Sequence, residues 1–316
     1  MKISKWILPL IVMAQFCCTS LWFAVNAVMV DLTINFHLEN SALEQLTSVI
    51  QFGFIIGTLT FAVLTIADRY APSKVFCCSA LLGAFLNALM LLEANTLISL
   101  MLLRFLTGVF LAGIYPIGMK IAADYYEKGL GKSLGFLVGA LVLGTAFPHF
   151  LKGFEGILSW ETLVLLTSCL ALMGGLLMFL FVPNGPYRKT SQALDFGAVF
   201  RIFKNKEFRI AAVGYFGHMW ELYTFWMLVP VLLISYFLEY PRLDFNVNYW
   251  AFIIIGIGSL GCVLGAYLAE HLGTKKTAML MLFLSFLCCC TLPLMFAYAS
   301  PAIFLLFLMF WGLVVI

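Results

Sequence analysis

Arg104, His218 and Glu221 are the residues of this 316-residue chain whose types and setting could do chemistry. Each sits inside a long apolar run, where a charge costs roughly 2.5–3.5 kcal/mol on insertion scales. His218 and Glu221 are three residues apart, which places them on one helix face as a paired titratable site. Burial disfavours any charge, whereas a nearby cation favours a carboxylate. Opposed pressures of that kind suit a site that takes up and releases a proton. Gln15, Trp22 and Asn26 in the first run, and Trp220, Tyr223 and Trp226 in the seventh, add polar tips among aromatic walls, a mix that suits a small solute. The plainer readings are an Arg104 that ties helices together through a carbonyl or an acid, a buried neutral His218, and tryptophans that only pack.

The remaining reactive residue types read as structural. The nine cysteines (Cys17, Cys18, Cys77, Cys78, Cys169, Cys262, Cys288, Cys289 and Cys290) all fall in apolar runs without ligand-spaced partners, and they read as small packing residues. His37, His149 and His271 lie near run ends or loops and read as solvated. No H-E-x-x-H, H-x-x-x-H or paired Asp occurs. The expectation is therefore no metal, no cofactor and no enzyme.

The elements that must hold these residues are spanning helices. Hydrophobic residues make up 63% of the chain and charged residues only 10%, against roughly 25% charged in soluble domains. Ten apolar runs cover roughly 6–30, 43–66, 74–93, 96–122, 132–152, 161–183, 209–237, 249–269, 277–299 and 301–316. Runs of about 20 residues cross a bilayer as helices, which satisfy their own backbone hydrogen bonds. The first run is too long for a signal-peptide core and lacks a convincing cleavage site. No basic stripe interleaved with aromatics occurs, so nucleic-acid binding is not expected.

Of the 18 basic residues, all but Lys152, Arg242 and Arg104 fall on one side of these spans. The positive-inside rule then places the N-terminus in the cytoplasm of a multi-pass cell-membrane protein. The longest connection on that side, Asn184 to Arg209, contains an amphipathic stretch, Phe196 to Phe208, that suits either an anionic leaflet or a solvated linker. It divides the chain into a six-helix half (1–183), a linker (184–208) and a half of about four helices (209–316).

Two loops on the linker side repeat. Leu64-Thr-Ile-Ala-Asp68-Arg69-Tyr-Ala71-Pro-Ser-Lys74 aligns without a gap on Ala266-Tyr-Leu-Ala-Glu270-His271-Leu-Gly273-Thr-Lys275-Lys276, 202 residues later. Repeated halves of this kind are typical of secondary transporters. The first loop resembles the signature G-x-x-x-D-R-x-G-x-x-[RK] of the major facilitator superfamily, with Leu64 and Ala71 in place of its two glycines. Arg104-Phe-Leu-Thr-Gly108 resembles a second signature, R-x-x-x-G in helix four. Gly113 to Lys120 and Gly217 to Tyr223 resemble a bacterial branch of that superfamily, which suggests a bacterial inner membrane. The G-x-x-x-G-P signature of drug-exporting antiporters is not matched, because Ala140 follows Gly139.

The resemblance implies an all-α polytopic bundle of two pseudo-symmetric halves. It implies twelve helices where about ten are present, so the C-terminal half reads as truncated. It further implies a monomer in the bilayer that moves a small solute by alternating access, with a proton as coupling ion. Helices one, four, seven and ten would line the cavity. Arg104 would face Glu221 and His218 across it, modulating the proton or receiving an anionic part of the solute. Asp68, Arg69 and Lys74 would form a cytoplasmic gate, with Arg69 meeting Asp124 and with Glu270, Lys275 and Lys276 repeating the arrangement. The alternatives are a solute-binding receptor or sensor on the same scaffold, or an uncoupled facilitator or exporter.

Overall fold

The computed structural model describes residues 4–39, 41–154, 158–188, 197 and 201–316, and among them every regular element is helical. Eight helices are long and apolar enough to cross a membrane: α2 (Ala42–Val63), α3 (Pro72–Leu91), α4 (Leu97–Tyr125), α5 (Leu130–Lys152), α6 (Trp160–Phe181), α7 (Lys206–Phe237), α8 (Val247–Leu272) and α9 (Thr274–Tyr298). Two shorter apolar helices, α1 (Ile7–Thr19) and α10 (Pro301–Val314), complete the series. Polar side chains start several of them. Thr96 and Ser99 form a reciprocal cap on α4, and Ser159, Asn205 and Asn246 cap α6, α7 and α8. Each cap satisfies amide groups that a helix start leaves without partners. Asn205 starts α7 at Lys206, so the end of the stretch 196–208 belongs to a spanning helix; its beginning lies partly outside the described residues.

The first run is not one continuous helix. Thr19 and Ser20 donate their hydroxyls back to the carbonyls of Gln15 (2.9 Å) and Cys17 (2.7 Å), an arrangement that bends helices. The chain then turns through residues 20–23 before short helices at Ala24–Ala27 and Met29–Asn35. α4 is interrupted at residues 112–114, ahead of Pro116, whose missing amide hydrogen and ring disfavour a continuous helix there.

Within the first six helices, α1 lies between α5 and α6, α2 packs on α4, and α3 packs on α4 and α6. Later in the chain α8 packs on α10 as α2 does on α4, and the register is the same. Gly108 approaches the carbonyl of Ile50, and Gly312 that of Ile254; Gly57 approaches Val109, and Gly261 approaches Leu313. From 108 to 312, 50 to 254, 57 to 261 and 109 to 313 the displacement is always 204 residues. The linker-side loops repeat at 202. The two-residue difference arises where α2 ends and turns at Thr65, in the left-handed region at φ 49°, whereas α8 runs on to Leu272. Leu64 and Ala71, which replace the signature glycines, both have negative φ (−78° and −60°), so neither is strained. The left-handed step near the end of α8 falls instead on Gly273, at φ 84°.

Candidate functional site

The buried charge of the first half is held by the break in the first run. The Arg104 side chain, in α4, is fully buried. Nη1 donates to the carbonyl of Leu21 at 3.0 Å and Nη2 to that of Trp22. An arginine supplies five donors in a fixed fork, and here two of them satisfy carbonyls that the turn directs away from regular helix. Of the two plainer readings of Arg104, the carbonyl tie is the one formed, and Arg104 takes part in none of the four ion pairs among the described residues. Its counterpart 204 residues on is Leu308, so only the first half carries this device.

Around that turn an aromatic seam joins α1 and its continuation to α7. Trp22 stacks on Tyr223 with centroids 5.7 Å apart, and Phe23 meets Trp226 edge-on at 5.8 Å. Tyr115 of α4 and Tyr215 of α7 lie in the neighbourhood of Tyr223. Gln15 is fully buried beside Gly118 of α4, and neither its amide oxygen nor its amide nitrogen has a partner. The indole nitrogen of Trp226 is buried and unpartnered as well. Trp22 and Asn26 are engaged, donating to Gln51 (3.2 Å) and Thr47 (2.9 Å) of α2. Trp220, grouped with these residues on sequence, stands 80% exposed and outside the seam.

Glu221 turns to α9. Its Oε1 accepts from Ser285 Oγ at 2.5 Å and from Cys289 Sγ at 3.5 Å, while Trp311 of α10 donates to Ser285 at 2.9 Å. His218 lies one turn away on the same face of α7. Glu221 thus sits in a membrane-spanning helix with hydroxyl and thiol donors and, among the described residues, no cation within ion-pair distance.

The linker-side ends carry the charges. Asp68 pairs with Lys120 at 2.9 Å, and Lys120 reaches Asp124 at 3.7 Å. Lys120, not Arg69, therefore serves Asp124, because it lies one helical turn from it on α4. Glu270 pairs with Lys132 in the first turn of α5 at 3.0 Å. Thus the second loop reaches across to the other helix group, while the first loop stays within its own. Arg69, Lys74, Lys275 and Lys276 are exposed and stand in none of these pairs. The linker begins against Asp124, whose carbonyl accepts from the Tyr187 amide at 3.0 Å.

At the opposite end, Asn246 of the α8 cap donates to the carbonyl of Gly153 at 2.8 Å, and Lys152 pairs with Asp31 at 2.6 Å. His149 is fully buried, and it is not the solvated residue its place near a run end suggested. α5 thereby meets α8 along its whole length, from Gly135 opposite Ala266 to Gly153 opposite Tyr249.

Tyr115, Tyr215, Ser285, Cys289, Trp311, Lys120 and Lys132 had no site role on sequence. Only Lys120 and Lys132 carried a usable signal, as basic residues near the ends of runs.

The family model described as Major Facilitator Superfamily matches residues 11–316. Among solved structures, the nucleoside transporter NupG aligns with a TM-score of 0.71 at 16% identity, over 98% of this chain and 79% of that one. A bacterial homologue of the human lysosomal transporter Spinster, inward-facing and unoccupied, aligns at 0.65 and 16% identity, over 99% and 74%. The proton:xylose symporter XylE, bound to 6-bromo-6-deoxy-D-glucose, aligns at 0.68 and 15% identity, over 98% and 78%. At these identities the likeness is one of fold. Comparison with curated proteins finds no significant relative.

Proposed function

The chain belongs to the major facilitator superfamily, a family of multi-pass membrane transporters, and we propose that it moves a small, uncharged polar solute across the cell membrane by alternating access. The helices of 1–183 and of 209–316 rock about the aromatic seam, joined by the cytoplasmic linker 184–208. The observation that carries this reading is the unpartnered Gln15 amide, fully buried beside the seam. A buried polar group without a partner costs about 1–3 kcal/mol, and a solute that donates to and accepts from the amide removes that cost on binding. An uncharged solute matches the neutral Gln15 amide; Arg104 is only partly engaged, with two donors on carbonyls of the first run and its buried Nε without a partner. An anionic solute, considered from sequence, is the alternative that the uptake test separates from it.

Lys132–Glu270 acts as the cytoplasmic gate, because that pair links the two helix groups at their linker-side ends. Asn246 and Gly153 make the matching contact on the other side. Glu221 carries the coupling proton and His218 tunes it: Glu221 is an ionisable side chain within a membrane-spanning helix, with His218 three residues away on the same face. One observation favours a second reading, an uncoupled facilitator: Glu221 meets α9 and not the seam.

Uptake of uncharged ring solutes, sugars and nucleosides first because XylE and NupG carry them, tests the proposal in proteoliposomes. Saturable uptake that Gln15→Leu weakens by about two- to tenfold, the worth of one hydrogen bond, supports it. Saturable uptake confined to charged solutes contradicts it.

A further inference from the structure

Away from the seam, α1, α5 and α8 enclose a groove of about 330 Å3. Met13 and Phe16 line it from α1, Phe136 and Leu143 from α5, and Leu260 and Val263 from α8; Ser259 is its one polar side chain. Gln15 is not among its lining residues and packs beside Gly118 of α4. Its lining begins roughly 8 Å and ends roughly 20 Å from the linker-side helix ends, at 1.5 Å per residue. That depth falls within the hydrocarbon of one leaflet, which is about 15 Å thick, and reaches the bilayer midplane.

The mouth of the groove has headgroup chemistry. Lys132 lies one turn above Phe136 on α5, and Tyr267 one turn beyond Val263 on α8; the Lys132 ammonium sits 4.7 Å from the Tyr267 ring centre. On α1, Lys5 and Trp6 precede Val12 and Met13 by two turns, with the Lys5 ammonium 5.7 Å from the Trp6 ring. Trp and Tyr collect at the membrane interface, and basic residues there attract anionic lipids. Two cation–aromatic pairs therefore flank an apolar slot that spans both helix groups.

We propose that this groove binds an anionic phospholipid of the linker-side leaflet, with one acyl chain between α1, α5 and α8 and the phosphate at Lys5 and Lys132. The phosphate competes with Glu270 for Lys132, so bound lipid loosens the ion pair between the helix groups. The binding site itself does not depend on which solute the protein moves.

Phosphatidylglycerol carrying a mid-chain diazirine, reconstituted with the full chain and mapped by peptide mass spectrometry, tests the proposal. Adducts are expected on Met13, Phe16 and Phe136, displaced by unlabelled phosphatidylglycerol and poorly by phosphatidylcholine. Met13→Trp, which fills the groove from a half-exposed position, should remove them. Adducts at Phe179 and Leu180, exposed on α6, should remain, which also reports that the variant is folded. Lys5→Gln should reduce the preference for phosphatidylglycerol about fivefold, the effect of one basic residue at a membrane surface. Equal labelling of the groove and of α6, or equal displacement by the two lipids, would overturn it and leave only ordinary boundary lipid.

Discussion

Arg104 donates to the carbonyl of Leu21 at 3.0 Å, linking the middle of α4 to the turn that interrupts the first run. The cation and the turn depend on each other. Without the turn the carbonyl would face a helical amide, and without the guanidinium it would be buried and unmet.

Arg104→Met should therefore destabilise the protein although it removes a charge from the membrane. Two carbonyls lose their donors, at about 1–3 kcal/mol each. Lysine retains a charge but not the fork, so Arg104→Lys should recover only part of the loss. Thermal unfolding in detergent measures both; a melting temperature unchanged in the methionine variant would show that the turn stands without Arg104.

Gly108→Val should lower folded yield sharply, because a side chain there meets the Ile50 carbonyl. Gly312→Val should do the same through Ile254, as the 204-residue register requires. Size-exclusion chromatography reads the outcome. If only one of the two variants is tolerated, the helix pairs are not equivalent in packing.

The ion pair of Lys132 and Glu270 is about 40% exposed on both sides. Exposed pairs contribute about 0.2–1 kcal/mol, enough to change the population of a closed state by no more than about fivefold. Lys132→Glu should increase labelling of a linker-side cysteine in the seam by that factor, and combining it with Glu270→Lys should restore the original rate. Labelling that the double variant leaves raised would remove the pair from the gate.

Lys206 and Glu39, both exposed at helix ends, should be labelled from opposite sides of the membrane as single cysteines in a cysteine-free background. The bias of basic residues predicts a cytoplasmic Lys206. Reaction of both from one side would contradict the topology.

Much of this architecture is legible in the residues. Run length and the bias of lysine and arginine give the spans, because a backbone in lipid has few other solutions. Asp68, Arg69 and Lys74, with Arg104 and Gly108, lead to the family. What cannot be read is direction. Glu221 and His218 share a face by spacing, but spacing does not say whether that face meets α4 or α9. Trp220 and Tyr223 differ by three residues, yet Trp220 is exposed and Tyr223 stacks on Trp22. The 202-residue loop match conceals the 204-residue helix register, since the intervening turn at Thr65 leaves no glycine to mark it. Arg104 suits an acid or a carbonyl equally by its chemistry; the turn at residues 20–23, which no residue type announces, selects the carbonyls.

In the proposed cycle, solute movement is coupled to protons through Glu221. Uptake into proteoliposomes by wild type and Glu221→Gln, with and without an inward proton gradient, tests it most directly. The amide keeps shape and can still accept from Ser285, but it cannot ionise. The account predicts that Glu221→Gln abolishes gradient-driven accumulation while solute exchange at equal concentrations continues. Accumulation by Glu221→Gln at the wild-type level and with wild-type pH dependence would contradict it.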